Sequence, residues 1–218
     1  MLPRIPEPLL DVYRPLSLWE SFYLRTRWRL CPFDLLESTL PRKGRILDFG
    51  CGYGILTNLL ALRSPDRELV GIDLNRDRIG VAARSVAGRR NIRFHLGDVE
   101  TLDPEPFDAV VMTDVLHHID DLHVEILLKK IRQCLRSQGI LAIQDVGRRP
   151  FWKFAVTYTI DAFLNPTRRL WYRSVPRLRN LLTASALRPE RVIPVDKDLP
   201  LADVLFLCRK DPREVRTQ

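Results

Sequence analysis

From Gly44 to Asp145 the sequence alternates short runs rich in β-branched residues with longer helical patterns, and this alternation constrains the fold more than any other feature. "RILDFG" is followed by "ILTNLLALR", "ELVGIDL" by "DRIGVAARSV", "IRFHL" stands alone, and "FDAVVMT" is followed by "VEILLKKIRQCLR" and then "GILAIQDV". Alternation of this kind predicts βαβ units around a largely parallel sheet. Strands buried on both faces read as continuous apolar runs, as "DAVVM" and "GILAI" do. Two later runs, "RVIPVDK" and "DVLFLCRK", are separated by "DLP" and predict a hairpin-like pair. The expectation is an α/β, doubly wound, Rossmann-like sheet with helices on both faces.

The flanks divide the chain further. Residues 1–43 read as an N-terminal helical cap: "SLWESFYLRTRWRL" is helical, and Pro32 and Pro41 bound a second short helix. Residues 44–210 form the α/β domain, interrupted at 147–174 by an aromatic and basic insertion, and 211–218 read as a loose tail. Ten of the fourteen residues from Phe151 to Leu164 are apolar, a run too short to span a bilayer. With 218 residues, 45% hydrophobic, the chain supports one large core rather than two. "MLPRIPEPLL" carries three prolines where a signal peptide needs an apolar run, and the four cysteines are widely separated. A reduced, cytoplasmic setting is expected, with peripheral contact to the inner face of the membrane left open.

Charge is unevenly placed. Between Val146 and Arg191 lie nine Arg and one Lys against Asp161 and Glu190, so this segment carries the whole net charge of +8. Such asymmetry suits an anionic substrate, nucleic acid or a phospholipid surface, or a solvated Arg-rich face.

Gly50, Gly52 and Gly54 crowd the turn between the first strand and the next helix. Their G-x-G-x-G spacing departs from the G-x-G-x-x-G dinucleotide fingerprint, with Ile at position 55. "LVGIDL" ends the second strand nineteen residues after Gly54, and Asp73 there can take both hydroxyls of a ribose, or simply cap the helix that follows. After the third strand, "GDV" offers Asp98 to an adenine amino group and the Val99 backbone N–H to a ring nitrogen. Three strand ends thus converge on one nucleoside.

In "ILDFGCGYG", "GIDLN", "GDV", "FDAVVMTDVLHHI" and "LRSQGILAIQDV", in that order, the chain resembles the class I S-adenosylmethionine-dependent methyltransferases of small-molecule type. The resemblance implies a seven-stranded, mostly parallel sheet with an antiparallel last strand and S-adenosyl-L-methionine as cofactor. It implies cofactor contacts from Asp48, Gly50, Cys51, Gly52, Gly54, Asp73, Leu74, Asp98, Val99 and Thr113. Asp48 would lie near the methionine amino group, and the glycines would admit the methionine end and the ribose.

Methyl transfer is an in-line displacement that needs alignment and exclusion of water, and needs a base only where the acceptor must lose a proton. "DVLHHID" supplies His117 as that base and His118 as its packing neighbour, unless the histidines merely line the cleft. Asp114, Asp120, Asp121 and Asp145 form no convincing oxygen cage, so no metal is expected. The aromatic, basic insertion suits a small-molecule acceptor that is apolar with an anionic group: acyl, aryl, quinone-like or lipid-like. The alternatives are an RNA methyltransferase that uses the same segment to stack bases, and a lipid methyltransferase at the membrane surface.

Overall fold

The computed structural model describes residues 4–98, 100, 105–164, 169–195 and 201–211, with side chains omitted for 160–164. The expected adenine contact Val99, Arg168 and residues 212–218 of the tail therefore lie outside the described residues. Among the described residues seven strands form one sheet in the order β3-β2-β1-β4-β5-β7-β6. They are β1 (Gly44–Phe49), β2 (Arg67–Asp73), β3 (Ile92–Leu96), β4 (Phe107–Thr113), β5 (Leu135–Val146), β6 (Leu187–Pro194) and β7 (Asp203–Lys210). β1 pairs parallel with β2 and β2 with β3, whereas β7 runs antiparallel to both β5 and β6. The mostly parallel sheet with an antiparallel last strand is as expected. By contacts the chain divides into two compact units, Met1–Val111 and Met112–Gln218.

In the first unit, α1 (Glu7–Asp11), α2 (Leu18–Leu30) and α3 (Phe33–Thr39) precede the sheet, and α4 (Ile55–Arg63) and α5 (Arg76–Arg84) alternate with its strands. Ser17 and Glu20 close a capping box at the start of α2, each side chain meeting the other's backbone N–H. β1 and β2 bury Ile46, Leu47, Leu69, Val70 and Ile72, which are β-branched or aliphatic residues suited to a strand covered on both faces. The short α1 carries no local sequence signal of its own; it is held by Leu9, which is fully buried. Arg67 is buried as well, and Glu37 at 2.9 Å together with the carbonyls of Pro41 and Leu60 satisfies its guanidinium. A buried charge survives only with such a complete set of partners.

In the second unit, α6 (Asp121–Cys134) starts at Asp120, whose carboxylate accepts the N–H of His123. β5 begins at Leu135, four residues before the apolar run "GILAI" that marks it in the sequence, and it pairs with β7 from Ile140 to Val146. α7 (Phe151–Leu164) occupies the insertion, and α8 (Val175–Ala184) starts at Ser174, whose hydroxyl accepts the N–H of Arg177. The predicted pair of C-terminal strands is present: Val192 faces Phe206 and Ile193 faces Leu205 across the β6 and β7 ladder.

Candidate functional site

The turn after β1 is built from backbone that only glycine adopts readily. Gly50, Gly52 and Gly54 have φ of 74°, 56° and 74°. A Cβ on Gly54 would clash with the Phe94 ring, so its small size is required by the chain's own packing. Gly52 differs: a Cβ there would meet only the Tyr23 hydroxyl oxygen, at 3.7 Å, and the surrounding space is open. Gly50 and Cys51 both donate their N–H groups to the Ile72 carbonyl, which ties the turn to β2.

Asp73, at the end of β2, braces the same turn. Its Oδ2 accepts the Gly52 N–H at 2.9 Å and its Oδ1 accepts the Asn75 N–H at 2.8 Å. The α5 N-cap is Asn75 rather than Asp73, since the Asn75 side chain accepts the Arg78 N–H. Each oxygen of an ionised carboxylate keeps further acceptor capacity beyond one bond. The Gly97 N–H donates to the Asp73 carbonyl, so the end of β3, with the half-exposed Asp98, is held beside the end of β2. Leu74 is largely exposed.

Asp48 lies buried on β1. Its Oδ2 accepts the Thr57 hydroxyl at 2.5 Å, while Oδ1 has no hydrogen-bond partner. Burial pushes its pKa up to about 6 against the hydrogen bonds from Thr57, with the nearby Asp73 charge adding to the rise. Burial, with the same two carboxylates, raises the Cys51 thiol well above its ordinary value and keeps it neutral. A buried carboxylate with one orphaned oxygen is a receptor for a cationic N–H donor.

Sequence reasoning missed the brace on the far side of the turn. Tyr13, just after α1, donates its hydroxyl to the Tyr53 carbonyl at 2.9 Å and accepts from Asn58, which also bonds the Gly54 carbonyl and Ser85. Burial drives the Tyr13 pKa far up, so the phenol stays a donor. The Tyr23 and Tyr53 rings lie 4.3 Å apart. Forty residues separate Tyr13 from Tyr53 and no local pattern links them.

In the second unit, a 3-10 turn over Leu116–His118 follows β4, entered through Asp114 in a left-handed conformation at φ 56°. His117 is buried, and its Nδ1 lies 2.5 Å from Oδ1 of the buried Asp145, which also accepts the Val146 N–H. Its ring stacks on Tyr172 at 5.7 Å with 9° between planes and contacts His118, which is exposed. Phe154 packs edge-on against Tyr172 at 5.1 Å. Thr113, at the end of β4, is buried. Of the four aspartates weighed as metal ligands, Asp114 and Asp145 gather with His117, with one ligand atom from each within 4.8 Å of the others. Gln144 donates to Asp114 and to Asp203 there. Asp120 and Asp121 serve the start of α6 instead.

Arg173 is the other residue that sequence reasoning missed. It is buried, and it donates to the carbonyls of Leu116 at 2.7 Å and Ile119 at 2.5 Å and to Asp121 at 2.6 Å. The Trp171 N–H donates to the His117 carbonyl at 2.7 Å. Part of the positive charge of this basic segment is thus consumed in holding the histidine turn, and Arg177 is paired with Asp121 too.

A glycine turn between two strand-end carboxylates, in this topology, is matched by one family over most of the sequence: residues 23–190 fit the methyltransferase domain family. The chain belongs to that family. This methyltransferase chain is 31% identical over 126 residues to a malonyl-[acyl-carrier protein] O-methyltransferase of Acetivibrio thermocellus, an alignment covering 57% of this chain and 44% of that protein. It is 32% identical over 121 residues to a ribosomal RNA small subunit methyltransferase C of Shewanella loihica, covering 54% and 35%. The chain thus spans less than half the length of these curated relatives. Among solved structures, the mitomycin 7-O-methyltransferase superposes with a TM-score of 0.70 at 22% identity, covering 88% of this chain and 55% of that one. That likeness shows a shared fold.

Proposed function

We propose that the chain transfers the methyl group of S-adenosylmethionine to an oxygen or an acidic carbon of a hydrophobic or amphipathic small-molecule acceptor. Family membership supports the donor, and the turn after β1 suits it. The orphaned Oδ1 of Asp48 takes the donor's ammonium group, the open side of Gly52 admits its methionine end, and Asp73 with Asp98 offers acceptors to ribose and adenine. Cys51, Leu74, Thr113, Gly50, Gly54 and Val99 complete the proposed contact set. When bound, the donor supplies an electrophilic methyl carbon on a positively charged sulfur. No phosphate is present in it, which agrees with two carboxylates at a turn where pyrophosphate would be repelled.

The observation that carries the acceptor half of the reading is the buried His117 and Asp145 pair. An ionised Asp145 fixes the proton on Nδ1 and leaves the basic lone pair on Nε2. His117 then removes the proton of a phenol, a carboxylic acid or an activated carbon acid, and Asp145 stabilises the imidazolium that forms. Tyr172 and Phe154 give the imidazole an aromatic wall that excludes water and suits an apolar acceptor. The relatives that act on an acyl carrier and on mitomycin favour this reading. The ribosomal RNA relative keeps RNA as the competing acceptor, but Arg173 and Arg177 of the basic segment are committed to Asp121.

The test is incubation of the full chain with methyl-labelled S-adenosylmethionine and separate lipid, small-molecule and RNA pools of a cell lysate. Label should enter the lipid or small-molecule pool, and His117→Ala should abolish transfer while donor affinity stays unchanged. Label entering RNA alone, or a chain that ignores the donor and its demethylated product at millimolar concentration, overturns the reading.

A further inference from the structure

Over its described side chains, residues 151–159, the insertion helix α7 is built inside out relative to an ordinary surface helix. Over residues 151–159 its exposed positions are Phe151, Trp152, Ala155, Val156, Tyr158 and Thr159, and its single charged side chain in that stretch, Lys153, is buried. Phe151 is 78% exposed and Trp152 60%, so more than half of each of these two large aromatic residues faces outward. A soluble helix ordinarily turns its charged residues outward. The cations gather at the ends instead. Arg148 and Arg149 stand exposed just before the helix and Arg169 stands exposed after it, within the segment whose balance of +8 equals the net charge of the whole chain.

We infer that the outer face of α7 docks in the interface of an anionic phospholipid membrane, with Phe151, Trp152 and Val156 entering the acyl boundary and Arg148 and Arg149 meeting the headgroup phosphates. An uncharged aromatic face bounded by arginines is the pattern of an interfacial anchor: burial of apolar area gives the binding its strength, and the flanking cations select anionic lipid. The helix is 14 residues long, so it lies on the bilayer rather than crossing it, and among the described residues no helix is long and apolar enough to cross. RNA fits this face less well, because backbone contacts need cations interleaved with the aromatic rings, and none is exposed between Phe151 and Thr159. The inference concerns docking and is independent of methyl transfer.

The experiment is co-sedimentation of the full chain with vesicles of phosphatidylcholine alone and of phosphatidylcholine with one third phosphatidylglycerol. The chain should sediment with the anionic vesicles and remain in solution with the neutral ones. The Phe151→Ser/Trp152→Ser variant should lose binding roughly tenfold or more. Arg148→Gln/Arg149→Gln should lose roughly 20- to 30-fold, at about 1 kcal/mol for each arginine near the surface. Brominated lipid should quench tryptophan fluorescence in the wild type, and Trp152→Phe should remove that quenching while sedimentation persists. Four results overturn the inference. They are wild-type sedimentation by the serine variant, quenching that survives Trp152→Phe, a dimer in solution that the serine variant splits, and release of the vesicle-bound chain by competing RNA.

Discussion

The Nδ1 atom of His117 stands 2.5 Å from Oδ1 of Asp145, and neither side chain is appreciably exposed. Because Oδ1 also receives the Val146 N–H, an amide in place of the carboxylate can keep its oxygen in the same position. Asp145→Asn therefore retains the Nδ1–H tautomer yet removes the charge that stabilises the imidazolium, and turnover is expected to fall roughly 10²-fold or more. Asp145→Ala also frees the tautomer. Nitrogen chemical shifts of His117 separate the two cases: unchanged tautomer with lower turnover in the Asn variant, a mixed tautomer in the Ala variant. Full turnover in both would reduce Asp145 to packing.

Asp48 makes donor binding depend on pH. Its pKa in the folded chain, about 6, lies above the ordinary value of 3.8, so between these values the folded state holds a proton that the unfolded chain has released. Stability from this group is consequently greatest at low pH and declines as pH rises toward 6, by about 3 kcal/mol in all. Affinity for a cationic donor runs the other way, because only the ionised carboxylate attracts an ammonium group. Calorimetry from pH 5 to 8 should show S-adenosylmethionine binding strengthen through pH 6. In Asp48→Asn that rise should vanish, and the unliganded variant should be more stable than the wild type at pH 8.

Asp73→Ala is expected to weaken donor binding by roughly 10- to 100-fold, since ribose hydroxyls buried against the carboxylate would lose a charge-assisted partner. The same substitution releases the Gly52 N–H. Asp73→Asn separates the two effects, because it can still accept from Gly52 through its carbonyl oxygen but offers one acceptor atom where there were two. Calorimetry that finds wild-type affinity in Asp73→Ala removes Asp73 from the binding site.

Glycines 52 and 54 are predicted to fail in different ways. At both, a side chain costs roughly 1 kcal/mol or more for the positive φ. Gly54→Ala additionally drives a methyl group into Phe94, an overpacking penalty of roughly 1–3 kcal/mol, so it should lower the denaturation midpoint strongly. Gly52→Ala meets open space, folds with a smaller loss, and should lose donor affinity out of proportion to stability. Equal losses of stability in both would show that Gly52 is also a packing glycine.

Those two glycines show what the sequence made legible. Their crowding after an apolar run located the turn, because positive φ and tight approach both select glycine, but it could not separate a demand made by Phe94 from one made by a ligand. The strands of the parallel region and α4 were readable from apolar runs and period, since burial on both faces leaves a plain hydrophobic signature. α1 was not readable, being five residues fixed by the buried Leu9 rather than by local propensity. His117 stood out beside His118 in "DVLHHID", yet nothing local indicates which of the two is buried. That distinction comes from Asp145 and Tyr172, 28 and 55 residues away, and so from tertiary contact alone.

Arg173 joins the insertion to the turn that carries His117. A planar guanidinium reaches the carbonyls of Leu116 and Ile119 and the Asp121 carboxylate at once; a lysine ammonium is a single point and cannot match that fork. Arg173→Lys therefore leaves at least one buried carbonyl unmatched, and Arg173→Met leaves them all, at a cost of roughly 3 kcal/mol or more. Arg177 bonds the same Asp121, against the opposing effect of burial both arginines hold that carboxyl below its usual range, and yet Arg177 is exposed. Arg177→Gln should accordingly cost about 1 kcal/mol or less. Urea unfolding of the three variants tests this order. The decisive comparison is functional: Arg173→Lys should lower turnover with donor affinity unchanged, since the disturbance reaches His117 through its own turn, whereas Arg177→Gln should leave both intact.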